Sequence, residues 1–456
     1  MNSAPHKHVE KVKHVQKQVK SWNEKGRQGQ MCTARPGWMA VCLREGKYKK
    51  TLQNIDVNLM DVIEVDAEKQ IVRVEPLATM GQVSATLIPM GWTLPIVPEL
   101  DDLTVGGLIM GVGIESSSHK HGLMQHVCEA LEVVLADGSV VKCNKKDNPD
   151  LFYSLFWSHG TLGFLVSADI RIVPAKKFVK LSYKPVHTFS EVVTEFEQST
   201  LKKTGNDFVE GLMYSKNEAV IMTGIMTDEA EPDKVNVISR HYKPWFFKHV
   251  ETFLQRGEDY EYIPLRDYYH RHTRSIFWQL QDIVPFGNNF VFRVLFGWLM
   301  PPKISLLKLT QGETIKRMYE KHQIIQDFVV PLDTLSKSLL KFHDELEMYP
   351  IFLCPFKLPK TPGFLRCSKE DEIFVDVGTY GSPKAQHYHA YDTTRRLEKF
   401  VLSVKGIQML YADSYLTQEE FRQMFDHSLY DKMRAKLNCS DAFPEIYDKV
   451  NRSARD

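Results

Sequence analysis

Residues 98–122 read PELDDLTVGGLIMGVGIESSSHKHG, and four glycines, Gly106, Gly107, Gly111 and Gly113, fall within eight positions of this stretch. Glycine enters backbone conformations closed to other residues and lets main-chain N–H groups approach a ligand. A run of such groups makes a concave anion site suited to a pyrophosphate. The spacing departs from the dinucleotide fingerprint of parallel α/β folds. There Gly111-Val112-Gly113 would need a glycine or alanine at position 116, which is Ser116, and no GK[ST] follows as a P-loop requires. Taken alone, the cluster reads equally well as a structural turn.

The flanking sequence supplies the context. Residues 62–65 and 71–74 are rich in β-branched side chains, and 79–90 has helical spacing closed by Gly91. Residues 131–135 and 140–143 flank Asp137-Gly138, a hairpin signal because both turn positions tolerate positive φ. Residues 164–173 alternate and stop at Pro174. Strands and helices mix without a βαβ rhythm, so an α+β class is expected. After Ala175 the segments lengthen and aromatics crowd together, from Trp245 to Trp298. A first domain over 1–175, a second over 176–405 and a helical tail over 406–456 that folds back on the rest are expected.

The strand pair, the helix ending Gly91-Trp92-Thr93-Leu94-Pro95, Thr104-Val105-Gly106-Gly107, the Asp137-Gly138 hairpin, Asp150-Leu151-Phe152 and Gly160-Thr161-Leu162-Gly163 follow in an order that resembles the FAD-binding domain of the vanillyl-alcohol-oxidase type, the two-subdomain PCMH fold. That resemblance implies an FAD diphosphate cradled by Thr104, Val105, Gly106, Gly107, Leu108, Ile109, Met110, Gly111, Val112, Gly113, Ile114, Glu115 and Ser116. It also implies that Gly160, Thr161, Leu162 and Gly163 approach the cofactor with their backbone. The family's earlier glycine-rich loop is replaced here by Thr33-Ala34-Arg35-Pro36-Gly37-Trp38, with one glycine. Arg35 could supply by charge what fewer N–H groups cannot, or be an ordinary surface arginine. No histidine or cysteine corresponds to the covalent flavin link of some relatives, so noncovalent FAD is expected.

Longer strings carry a closer resemblance. YKPWFFKHVE at 242–251, YYHRHTRSIFW at 268–278, PPKISLLKLTQGET at 301–314 and DAFPE at 441–445 resemble the delta(24)-sterol reductase family, over nearly the whole chain. The resemblance implies NADPH as reductant, a sterol as substrate and a location on the cytoplasmic face of the endoplasmic reticulum membrane. The hydrophobic N-terminal anchor of that family has no counterpart here, so peripheral contact is expected. Two readings stand for the N-terminal helix, where Val9, Val12, Val15, Val19 and Trp22 form a stripe among lysines. The stripe packs on the first domain, or it rests on an anionic membrane. Saturating the side-chain alkene needs a proton donor, for which Tyr380, Tyr411, His270, His272 and Glu115 are candidates. The same cofactor domain also serves oxidases of small hydroxyl substrates, and a non-catalytic sterol-binding protein is a third possibility.

Composition narrows the rest. The 58 basic and 57 acidic residues balance, which argues against a nucleic-acid partner. Seven cysteines without a CxxC pair indicate reduced thiols. The pairs His119/His121, His270/His272 and His387/His389 lack a third ligand in sequence, so no metal is expected. The longest apolar stretch, 290–300, contains Arg293 and falls short of the ~20 residues a spanning helix needs.

Overall fold

The computed structural model describes residues 3–36, 45–202, 205–300, 322–367 and 369–455. Gly37, Trp38, Cys42 and the 301–314 string lie outside the described residues. The molecule is α+β and is built on two antiparallel sheets. The first has five strands in the spatial order Val62–Asp66, Ile71–Val74, Phe164–Arg171, Cys128–Val134 and Val140–Asn144. The second has eight, in the order Asp259–Pro264, Phe178–Val186, Ala219–Thr227, Phe208–Met213, Ile351–Leu358, Glu372–Gly381, Ile324–Pro331 and Ile407–Gln408.

Local chemistry sets these elements. Gly138, at φ 82°, closes the hairpin between the last two strands of the first sheet, pairing Val134 with Val140. Thr79 caps Met80–Leu87 by accepting from Gln82 N at 3.2 Å, and Gly91 at φ 80° ends the short 3-10 turn that follows. Against this helix lies the glycine-rich stretch. Thr104 bridges Thr79, Val105 N donates to Ala78 O at 2.9 Å, and Gly106 N donates to Pro76 O at 2.8 Å.

The N-terminal helix, His8–Glu24, settles between its two readings. Val12, Val15, Val19 and Trp22 are buried in the core and only Val9 stands in solvent. Gln16 donates to Gly138 O, Asn23 donates to Ala136 O, and Lys11 reaches Asp61 and Glu75. An apolar stripe already buried against protein offers nothing to a bilayer, which corrects the expectation that this helix docks on a membrane.

The last fifty residues pack on the start of the chain. Met31 N donates to Ala442 O at 2.7 Å, and the Ser428–Lys436 helix places Arg434 where it donates to Thr161 O at 3.0 Å. The two sheets are tied at a buried ion cluster. Arg271 Nη2 lies 2.7 Å from Glu115 and 2.8 Å from Glu210, and all three side chains are out of solvent. The six cysteines among the described residues are free thiols. No helix of the described residues is long and apolar enough to cross a membrane.

Candidate active site

A cavity of about 420 Å³ takes its walls from both sheets and from the C-terminal segment. One end is made of glycines and cations. Gly107 and Gly160 both line this end. Among the described residues, a Cβ at Gly107 would meet Thr104 Oγ1 at 3.0 Å and Arg35 Nη1 at 3.8 Å; one at Gly160, which sits at φ 70°, would meet Lys449 Nζ at 3.8 Å and Gly163 O at 4.0 Å. Arg35 Nη1 donates to Thr104 Oγ1 at 3.1 Å. Lys49 donates to Thr33, and Lys449 donates to His159 O. Burial pulls Lys49 down to about 8, and burial together with Lys49 does the same to Lys449. No carboxylate among the described residues pairs with either lysine. Two desolvated ammonium groups beside glycines could hold a doubly charged anion such as a diphosphate.

The glycine stretch works differently from a simple string of free N–H groups. Its backbone forms a short helix, Val105–Met110, and much of its hydrogen bonding is internal: Gly106 N goes to Pro76 O, Leu108 N to Thr104 O and Gly111 N to Gly107 O. Gly106 is required for close packing, since a Cβ would lie 2.7 Å from the Pro76 ring. Gly113 serves packing too, with Met124 at 2.8 Å from its missing Cβ.

Of the residues implicated by sequence, Arg35, Thr104, Gly106, Gly107, Leu108, Met110, Gly111, Val112, Gly113, Ile114, Gly160 and Gly163 line the cavity. Val105, Ile109, Glu115, Ser116, Thr161 and Leu162 do not. Val105, Ile109 and Leu162 point into the core. Thr161 is held by Tyr430 at 2.7 Å, and Ser116 bonds Glu115 and Tyr268.

The other end of the cavity is apolar with an acidic wall. Ile276, Phe277, Ile283, Ile325, Met409 and Leu410 line the cavity together with Glu99, Asp327, Tyr380 and Tyr411. Ile276 and Phe277 both hold positive φ, at 48° and 59°. That is an outlier for a β-branched residue. It is imposed by Phe277 N donating to His272 O and by Trp278 Nε1 donating to Tyr380 O.

Tyr380 Oη donates to Asp327 Oδ1 at 2.5 Å, and Tyr411 Oη donates to Asp327 Oδ2. Burial pushes Asp327 up to about 6 despite these donors. Burial and the Asp327 charge hold both phenols well above their ordinary range. Glu99 is pushed well up by burial and by the charge of its neighbour Glu115, and both effects favour its neutral form.

Among the five proposed acids, Tyr380 and Tyr411 face the cavity, whereas His270, His272 and Glu115 lie behind its wall. His270 is pulled down to about 3 by burial and bonds Ser84 Oγ at 2.7 Å. His272 stacks on Phe277 with ring centroids 4.4 Å apart and is likewise lowered by burial. Among the described residues, no three His, Cys, Asp or Glu groups converge on a metal position.

Sequence reasoning missed Lys49, Lys449, Glu99 and Asp327. Lys449 sits in a five-residue helix without a motif. Asp327 left a signal, as the one acid inside the apolar strand Ile324–Pro331.

Residues 7–144 match the family model described as an FAD binding domain, which contains the glycine–cation end apart from the contributions of 159–163 and 449. Over its full length the chain is 60% identical to the delta(24)-sterol reductase of Homo sapiens, covering 88% of that protein. It is 48% identical over its full length to a delta(24)-sterol reductase homolog of Caenorhabditis elegans, covering 90% of it. With the delta(24)-sterol reductase of Arabidopsis thaliana it shares 40% identity over 98% of this chain and 85% of that one. Such identity over the whole length leaves one conclusion: the chain belongs to the delta(24)-sterol reductase family.

Proposed function

We propose that the protein saturates the delta(24) side-chain double bond of a sterol, using noncovalently bound FAD and NADPH as the source of electrons. The observation that supports this most is the continuity of the cavity, which joins an end lined by glycines and cations to an apolar end where burial and Glu115 push the Glu99 carboxyl toward its neutral form. When bound, FAD supplies hydride chemistry that no side chain can provide. Arg35, Lys49 and Lys449 would hold its diphosphate, and Gly107 and Gly160 would leave room for it.

The side-chain alkene carries two methyl groups on one carbon and no carbonyl to polarise it. Protonation at the less substituted C24 puts positive charge on C25, a tertiary centre. The residues must therefore hold one proton over C24 and keep water away from C25. A neutral carboxyl is a stronger acid than a phenol whose ionisation burial has suppressed, so Glu99 is assigned the proton. Asp327 fixes the two phenol rings, and the faces of Tyr380 and Phe277, centroids 4.9 Å apart, favour a passing cation.

The two sheets support a division of labour, with cofactor binding over 1–175, substrate binding over 176–405 and closure of the cavity by 406–456. Peripheral contact with the cytoplasmic face of the endoplasmic reticulum membrane suits an insoluble substrate. Purified protein should convert a delta(24)-sterol to its saturated product with FAD and NADPH, read by mass. Flavin that NADPH bleaches, with no sterol reduced, would move the chain to the oxidase reading.

A further inference from the structure

We propose that residues 283–299 form a docking platform that seats the cavity's rim on an anionic lipid bilayer. This stretch is the reverse of a core element. The Phe290–Phe296 helix buries none of its residues. Phe290 is 69% exposed, Trp298 66% and Phe286 60%, and Val291, Val294, Leu295, Phe296 and Leu299 stand out beside them. An apolar surface this dense on a soluble face marks a binding site.

Val284 anchors the platform on the core, and polar contacts hold the helix in place. Asn289 caps the helix, accepting from Val291 N at 2.9 Å and Phe292 N at 3.3 Å. Arg293 turns back under the helix and donates to Asn288 O at 3.0 Å and to Tyr242 O. Arg274 in turn clamps the 238–243 loop by donating to Ile238 O, His241 O and Lys243 O. The polar side of the helix is thus spent on its own support, and the apolar side faces out.

Charge and position select a lipid surface as the occupant. The supporting loop presents Arg240 and Lys243, neither of them paired with a carboxylate among the described residues, with the exposed ring of Tyr242 between them. From 276 to 299 the only acid is Asp282, which burial pushes up. Aromatic rings and cations around an apolar helix are the composition of an interfacial element lying in the headgroup region. The platform is also continuous with the cavity. Ile276, Phe277, Gln279 and Ile283 line it, and Ile283 is 36% exposed at the start of the platform. A sterol leaving the bilayer here would pass from lipid to the apolar end without crossing water. That purpose rests on the sterol reading; the contact itself does not.

The test uses flavin-loaded full chain and sedimentation with phosphatidylcholine vesicles, with and without phosphatidylserine. Wild type should sediment, more with the anionic lipid, and less as salt rises. Phe290→Ser and Trp298→Ser should each lower the bound fraction roughly tenfold while flavin content is unchanged. Both variants should lose turnover of sterol presented in vesicles and keep turnover of sterol presented in cyclodextrin. Unchanged vesicle binding would overturn the platform, as would a wild-type dimer in solution that these substitutions convert to monomer. Vesicle binding as described, with no sterol turned over by any route, would keep the platform and sink the sterol reading.

Discussion

Arg271 Nη2 lies 2.7 Å from Glu115 Oε1, and this contact joins the end of the glycine-rich stretch to the second sheet. The guanidinium also forks to both oxygens of Glu210, with Nε 2.8 Å from Oε1 and Nη2 2.8 Å from Oε2. Its charge, aided by His272, holds Glu210 down at about 2 against the cost of burial. Replacing Arg271 by Met leaves two buried carboxylates without their cation, which should cost about 3–5 kcal/mol of stability. Arg271→Lys should not rescue it, because an ammonium cannot make the fork. The depressed Glu210 contributes stability that is present above about pH 4 and lost as pH falls toward 2. Urea midpoints measured at pH 7 and in acid should therefore differ less in Arg271→Met than in wild type.

Gly106 and Gly107 are neighbours with different duties, and substitution should separate them. A side chain at Gly106 meets the Pro76 ring and backbone, so Gly106→Val should lower the denaturation midpoint. At Gly107 it points toward Arg35 and into the cavity. Gly107→Val should keep its midpoint without flavin and lose bound FAD on gel filtration. Full flavin occupancy in Gly107→Val would move the diphosphate elsewhere.

The contrast marks what the sequence could tell. The hairpin at Asp137-Gly138 and the capped helix after Thr79 rest on local chemistry and form where their turn and cap residues stand, whereas the glycine stretch folds into a short helix instead of a run of free N–H groups. The buried cations of the site do not rest on local chemistry. Lys49 and Lys449 lie 400 residues apart and meet only through the return of the chain's end. Glu99 was in plain sight beside the glycines, but its neutral state depends on burial and on the charge of Glu115, against the pull of Arg271. The crowded aromatics looked alike in sequence. Topology buries Trp245, Phe246, Phe247, Phe277 and Trp278, and leaves Phe290 and Trp298 outside.

FAD affinity should depend on pH with a sign fixed by the lysines. Burial lowers both to about 8 in the cofactor-free protein, and a diphosphate beside them would raise both again. Below pH 8 the ammonium groups are already charged, so affinity should be flat. Above it, binding must take up protons, and affinity should fall as pH rises. Flavin fluorescence titrations between about pH 6.5 and 9.5 would show this, with a slope approaching two protons at most. Lys449→Gln should weaken binding at pH 7 and reduce the slope. An affinity that rises above pH 8 would exclude the two lysines from the diphosphate site.

The proton's origin is testable through where it lands. A proton given up by Glu99 exchanges with solvent, so reaction in heavy water should place deuterium at C24. The tertiary C25 should receive its hydrogen from the nicotinamide side, diluted where exchange outruns turnover. Glu99→Gln keeps the shape of the acid and removes its proton. It should retain FAD and lose about 10²–10⁴-fold in turnover. Because Glu99 is held neutral by burial and by Glu115, wild-type turnover should persist at neutral pH and decline on the alkaline side, as Glu99 gives up its proton to solvent. Asp327→Asn should instead loosen Tyr380 and Tyr411, raising KM for the sterol more than it lowers kcat. If Asp327→Asn abolishes turnover while Glu99→Gln keeps it, the acid is Asp327 or a phenol it carries. If solvent deuterium appears only at C25, protonation does not follow carbocation stability, and the acidic wall has been assigned to the wrong carbon.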